Sequence, residues 1–304
     1  MSDPDLARVL AAQHGDGSWG AQATLTGRII TTIFTARSLQ EAGVAAPGGA
    51  AQAALDRALD VLAATAIVEG AASITGAGDG VLSCYSGMLA RLMVNAGRAE
   101  QAQPLLDWIV RYQPVVFGGT VYHQPPEPMW GEYLRHRYGG CMASTTCLLG
   151  LVPTLSALVI AERAGLPVAA RPQLTAMRRL LIDRRVLFAR SGTVLPLAGR
   201  TKADPTGTRW LAPAFPRDYV IDLIELVQLA VDLDVPHDAL TEAVELIASW
   251  RLPDGGWPMS GTRRLPLAYR PEKVDRRRSS PIITGRVAML GLLPATPQRE
   301  GGVG

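Results

Sequence analysis

Gln13-His14-Gly15-Asp16-Gly17-Ser18-Trp19-Gly20 near the start of the chain and Trp250-Arg251-Leu252-Pro253-Asp254-Gly255-Gly256-Trp257-Pro258 near its end carry the same message. Each follows a segment with apolar residues at helical spacing, and each precedes another. Asp-Gly is a strong turn dipeptide, because Gly accepts positive φ and Asp bonds its own backbone. The Trp that follows is a large apolar anchor able to clamp the turn against neighbouring helices. A lone Asp-Gly-x-Trp would mean little. Two copies, each closing one helix and opening a helical hairpin, point to a repeat architecture.

Between the two turns the helical segments come in pairs. The spacing predicts helices over 4–13, 24–42, 51–68, 82–96, 100–112, 142–164, 171–188, 217–233, 238–251 and 281–292. Gly43, Gly97 and Gly165 stop three of them, as C-terminal glycines do. Hydrophobic residues make up 48% of the chain and aromatics only 6%, so Ala and Leu carry the packing. Both are strong helix formers. Odd-numbered helices carry charged residues on one face. Even-numbered ones are more uniformly apolar, as in Cys147-Leu148-Leu149-Gly150-Leu151-Val152. The loops at 114–139 and 190–213 hold aromatic and β-branched residues and have room for short hairpins.

The two turns resemble the Gln-Trp repeats of squalene-hopene cyclases, whose pattern is Gln-x-x-Asp-Gly-Ser-Trp-Gly. That superfamily includes the protein prenyltransferase β subunits. The resemblance implies an all-α fold, the α/α toroid, in which inner helices ring a cavity and outer helices surround them. The chain supplies five hairpins and a closed toroid has six, so five to six is the expectation. It forms one domain over 1–293, followed by a disordered tail at 294–304. If outer and inner helices alternate, all inner helices run the same way, and their N-termini gather at one mouth.

Three helix starts stand at that mouth. Cys84 opens the second inner helix, Cys141 and Cys147 bracket the start of the third, and Asp218 and Asp222 open the fourth. Three thiols and a carboxylate from adjacent helix starts are a donor set for zinc, which takes Cys, His or carboxylate ligands in a tetrahedron. A helix N-terminus also favours the thiolate. His123 or His136 in the preceding loop is a candidate to complete the shell. The other reading is three packing cysteines, since free Cys behaves as a small hydrophobe and positions six apart do not share a helix face. Asp222 likewise has two readings. A carboxylate in an apolar helix is costly unless paired or bound. It is either in a salt bridge to Arg28 or Arg217, or it is a metal ligand or general acid.

Further motifs resemble a bacterial group of prenyltransferase and squalene-oxidase repeat proteins. They are Cys84-Tyr85-Ser86-Gly87-Met88-Leu89, the Cys141 to Gly150 segment, and Trp210-Leu211, Phe215-Pro216 and Asp222-Leu223-Ile224-Glu225. Other relatives fit less well. The Asp-x-Asp-Asp acid of class II cyclases has no counterpart beyond Asp218 and Asp222, which are spaced differently, and Asp232-Leu233-Asp234 falls at a helix end. The Asp-rich magnesium motifs of class I cyclases, the Asp-x-Cys pair of protein prenyltransferases and the Cys-His-Gly of lanthionine cyclases are missing.

The resemblance implies an enzyme of bacterial secondary metabolism, a cyclase, isomerase or transferase. It would act on a hydrophobic or isoprenoid-like small molecule, with Asp222 or Asp218 as acid or with zinc at the cavity mouth. The alternative is a carrier of a lipophilic ligand or a partner-binding scaffold. A net charge of +3 argues against nucleic acid. Arg276-Arg277-Arg278 reads as a solvated loop beside a helix start, or as a cap over a cavity that meets an anionic head group. The acidic, polar N-terminus shows no signal peptide, and the three cysteines suit reduced thiols, so the expectation is a cytoplasmic protein. Gly139 to Ala161 is uncharged and long enough to span a membrane. Its Ser and Thr residues, Gly150 and Pro153 favour a buried inner helix instead.

Overall fold

The computed structural model describes residues 3–21, 23–125, 148–186, 188, 192–195, 205–262, 265 and 267–293. The fold is mostly helical. Among the described residues ten α-helices follow in order: α1 (Pro4–Ala11), α2 (Leu25–Glu41), α3 (Ala50–Ala66), α4 (Ser83–Asn95), α5 (Ala99–Tyr112), α6 (Leu148–Arg163), α7 (Arg171–Asp183), α8 (Leu223–Asp232), α9 (His237–Ser249) and α10 (Pro281–Ala288). Each coincides with a predicted segment. The largest shift is in α8, which starts only after Asp222 because that carboxylate caps it.

Two short antiparallel hairpins interrupt the helices. β3 (Val115–Phe117) and β4 (Thr120–His123) pair within the loop expected to hold one. β1 (Ile67–Val68) and β2 (Ala71–Ala72) were expected as helix end and turn. Ile67 and Val68 are β-branched and stiff in a helix. Glu69 and Gly70, at φ of 50° and 83°, reverse the chain straight after them.

Side chains cap several helix starts. Asp3 accepts from the backbone of α1, Thr24 from α2, Asp222 from α8 and Ser280 from α10, satisfying N–H groups that have no partner inside the helix. The ends of α2, α4 and α6 are alike. Gly43, Gly97 and Gly165 take positive φ. The next residues, Val44, Arg98 and Leu166, donate back to the carbonyls of Leu39, Met93 and Ala161. This closure satisfies the last carbonyls of each helix. α8 closes the same way with Asp234, at φ 52°, and Val235 donating to Ala230.

The even-numbered helices pack in series, α2 on α4, α4 on α6 and α6 on α8. Each is backed by its odd-numbered successor: α3 on α2, α5 on α4, α7 on α6 and α9 on α8. Burial follows this division. α6 is buried on all sides, whereas α5 buries one stripe through Ala102, Leu105, Leu106 and Ile109. α4 and α6 approach most closely at Gly87, where an added Cβ would lie 2.4 Å from the backbone of Pro153 and Thr154. Pro153 removes one N–H from α6, and the Thr154 hydroxyl bonds the Gly150 and Leu151 carbonyls beside it. Among the described residues no helix is long and apolar enough to cross a membrane. Residues 139–147 of the tested stretch lie outside them.

Candidate functional site

Four even-numbered helices each carry an ionised side chain in an otherwise apolar environment: Arg37 on α2, Arg91 on α4, Glu225 on α8 and Arg286 on α10. They meet in one lattice. Glu225 Oε1 accepts from Arg91 Nη1 at 2.5 Å and from Arg37 Nη2 at 3.2 Å. Its Oε2 accepts from Arg217 Nη1 at 2.5 Å. Arg217 and Arg37 both reach Glu41 Oε1, at 2.6 and 2.7 Å. Arg286 holds Asp222 with two bonds, Nη1 to Oδ2 at 2.7 Å and Nη2 to Oδ1 at 2.6 Å. Arg163, at the end of α6, pairs with Asp232, at the end of α8, at 2.9 Å.

Glu225, Glu41, Asp222 and Arg217 stay ionised despite their burial. Burial pushes the Glu225 carboxyl up, and Arg217, Arg37 and Arg91 pull it down well below the usual carboxylate range. Burial likewise raises Glu41, and Arg217 and Arg37 bring it down to about 2. Asp222 is pushed up by burial and drawn below its ordinary value by Arg286 and Arg217. Burial lowers Arg217, but Glu225, Glu41 and Asp222 outweigh it and raise its pKa. Removing one partner from such a lattice leaves a buried charge uncompensated, at about 3–5 kcal/mol.

The lattice forms one wall of a cavity of about 450 Å³. Contributions come from all five even-numbered helices: Glu41 from α2, Arg91 from α4, Ile160 from α6, Glu225 from α8, and Arg286 with Met289 from α10 and its end. In α2, α4 and α6 the lining residues sit in the later turns. The cavity is therefore bordered by the later turns of α2, α4 and α6 and by the first turn of α8, whereas the sequence places the site where all the inner helices begin.

The predicted residues separate accordingly. Cys84 is half-buried in the first turn of α4, packed against the main core. Arg91 follows two turns later, about 10 Å along the axis. Asp222 is buried and fully engaged: it caps α8 by accepting from Glu225 N at 3.0 Å, and it is held by Arg286. Of the two arginines proposed for it, Arg217 lies 3.6 Å away, while Arg28 pairs with Asp16 at 3.3 Å. Asp218 is half-buried. Its Oδ1 accepts from Val220 N at 2.8 Å, and its carbonyl accepts from Arg37 at 2.8 Å. His123 lies on β4, where burial lowers its pKa. Cys141, Cys147 and His136 lie outside the described residues. Among the described residues no three His, Cys, Asp or Glu side chains form a group fit to hold a metal ion. With both Asp222 oxygens taken by Arg286, the described donors do not fit zinc.

Sequence reasoning missed Arg37, Glu41, Arg91 and Arg286, and it used Glu225 only as part of a resemblance. Their signal is a charge set among apolar residues on each of these helices, since a charge in that setting needs an opposite partner.

No protein-family model matches the chain, and no curated protein does. Solved structures do. A protein from Actinoplanes is similar over 94% of this chain and 96% of its own, with 16% identity and a TM-score of 0.34. A variant of the type II terpene cyclase MstE from Scytonema, in complex with its substrate geranylgeranyl dihydroxybenzoate, is similar over 83% of this chain and 78% of its own, with 13% identity and a TM-score of 0.37. The apo form of MstE gives the same coverage, 14% identity and a TM-score of 0.32.

Proposed function

We propose that the chain is an α/α toroid whose central cavity binds a hydrophobic or isoprenoid-like small molecule by its polar end. The alternation of packing supports the toroid. α2, α4, α6 and α8 succeed one another, each backed by the next odd-numbered helix, and the Arg37–Glu225 and Arg217–Glu41 pairs tie α8 and the segment before it back to α2. The observation that carries the binding reading is the cavity itself, whose lining joins the guanidinium groups of Arg91, Arg217 and Arg286 to Ile160, Ile224 and Met289. Concave sites of this size are the usual form of a small-molecule site, and this one is lined mostly by polar and charged side chains.

The charges favour binding over acid catalysis. A carboxyl that protonates an alkene must itself be protonated, with a pKa raised toward the working pH. Asp222 is shifted the other way. Of the two sequence-level functions, the ligand carrier therefore agrees better with the geometry than a cyclase with Asp222 as its acid. Native mass spectrometry of the purified chain with prenyl alcohols, acids and diphosphates tests this. A one-to-one complex that persists without turnover is expected. Product release would restore the cyclase or transferase reading, and failure of every probe to bind would end the small-molecule reading. Metal analysis of the same sample addresses the separate zinc proposal on Cys84, Cys141 and Cys147. Stoichiometric zinc that disappears in Cys147→Ala would sustain it, and metal-free protein would sink it.

A further inference from the structure

We infer that the bound molecule carries one negative charge at its polar end, a carboxylate, and that Arg217 and Arg91 receive it. This rests on the binding reading above. The first ground is the charge inventory of the wall. Five guanidinium groups (Arg37, Arg91, Arg163, Arg217 and Arg286) face four carboxylates (Glu41, Asp222, Glu225 and Asp232). Among the ion-paired groups of the described residues one positive charge is left over, and it remains when the solvent-exposed Arg163 and its partner Asp232 are set aside.

The second ground is which donors remain. Arg37 is saturated, with Nε on Glu41, Nη1 on the Asp218 carbonyl and Nη2 on Glu225. Arg286 commits both Nη groups to Asp222. Arg217 lines the cavity and is 5% exposed, yet its Nε is buried with no acceptor. A buried donor without a partner costs about 1–3 kcal/mol, which an incoming anionic oxygen removes. Arg91 commits Nη1 to Glu225, and its side chain, 22% exposed, reaches the cavity.

The third ground excludes more highly charged head groups. Glu41 also lines the cavity, and its Oε2 is buried with no donor. A diphosphate would set several negative oxygens against that carboxylate and against Glu225, with a single positive charge to offset them. Repulsion of this kind is how a site rejects near relatives of its ligand. A neutral alcohol would accept from the Arg217 Nε but leave the excess charge unanswered. Charge-assisted bonds to a carboxylate answer both.

The test uses three probes with one shared chain: farnesol, farnesoic acid and farnesyl diphosphate. Each is titrated calorimetrically into the full-length protein and into Arg91→Gln, with thermal melts confirming that the variant is folded. The acid is expected to bind about tenfold tighter than either of the others, the size of one charge-assisted contact. Arg91→Gln should weaken the acid about tenfold more than it weakens the alcohol. Arg91→Lys, which keeps the charge, should recover part of the loss. Equal binding of alcohol and acid would overturn the inference while leaving the binding reading intact. Tighter binding of the diphosphate would overturn the single charge. If none of the three binds, the binding reading fails and this inference fails with it.

Discussion

The two Asp-Gly-x-Trp turns have the same internal wiring. In the first, His14 N donates to Ser18 O and Gly17 N to His14 O, at 2.9 Å each. In the second, Leu252 N donates to Gly256 O and Gly255 N to Leu252 O, at 2.9 and 2.8 Å. Trp19 Nε1 bonds the Val9 carbonyl at 2.9 Å and Trp257 Nε1 the Ile247 carbonyl at 2.8 Å, each ten residues back. Each Trp backbone N–H donates to a threonine on the next even-numbered helix, Thr32 or Thr284, at 2.9 Å. What differs is the distance along the chain. Thr32 lies 13 residues after its Trp and Thr284 lies 27 after its own. The second copy has absorbed an inserted loop without losing its acceptor, so the position of the helix, not the spacing of residues, defines the repeat. The surroundings differ too. Trp19 belongs to a small cluster with Val9, Leu39 and Tyr269, while Trp257 is part of the main core.

That difference can be broken experimentally. Trp19→Ala and Trp257→Ala should each cost about 3–5 kcal/mol in urea unfolding, as large core truncations do. The Trp257 variant should sit at the upper end, because its cavity opens into the larger core. Equal losses, or a larger one at Trp19, would mean that the two clusters form one energetic unit. Thr32→Val and Thr284→Val should have the next largest effects, about 1–3 kcal/mol, by leaving a buried N–H without its acceptor. Thr32 is wholly buried and Thr284 half-buried. Water can therefore replace the lost hydroxyl more readily in the second copy, and its loss should be the smaller.

The smallest effect is acid sensitivity. Asp16 is held below its ordinary value by Ser18, and Asp254 by Ser279 and Gly256. A carboxylate with a depressed folded pKa contributes stability above its unfolded pKa, and that stability is lost as pH falls through the folded one. Both turns should therefore loosen together below the ordinary aspartate value of 3.8. Glu41 adds a loss spread from 4.5 down to about 2. Melting temperatures of Asp16→Asn and Asp254→Asn, followed on acidification, should fall less steeply than those of the unaltered chain. Identical slopes would show that the turns contribute nothing to acid unfolding.

Much of the frame was legible because its signals are local. Gly43, Gly97 and Gly165 mark helix ends by a backbone conformation that one residue type adopts with ease, and all three sit where predicted. Asp222 was rightly singled out as a carboxylate needing a partner, and Arg217 as one of its neighbours. The closer partner, Arg286, is 64 residues away, and no periodicity links the two. The same holds for Arg37 and Glu225, 188 residues apart. Local pattern reads helices one at a time. The cavity wall exists only after five of them are assembled, and the charges set among their apolar residues are the one local trace of it.

Gly87 sets a limit on the whole assembly. Arg91 lies one turn beyond it on α4, and Ser156 lies one turn beyond Pro153 on the facing α6; both line the cavity. The hydrogen at position 87 thus works as a gauge block beneath the cavity. It fixes how far apart the two helices stand, and even a methyl group in its place would act as a wedge. Cavity breadth is adjustable from a residue that does not itself line the cavity.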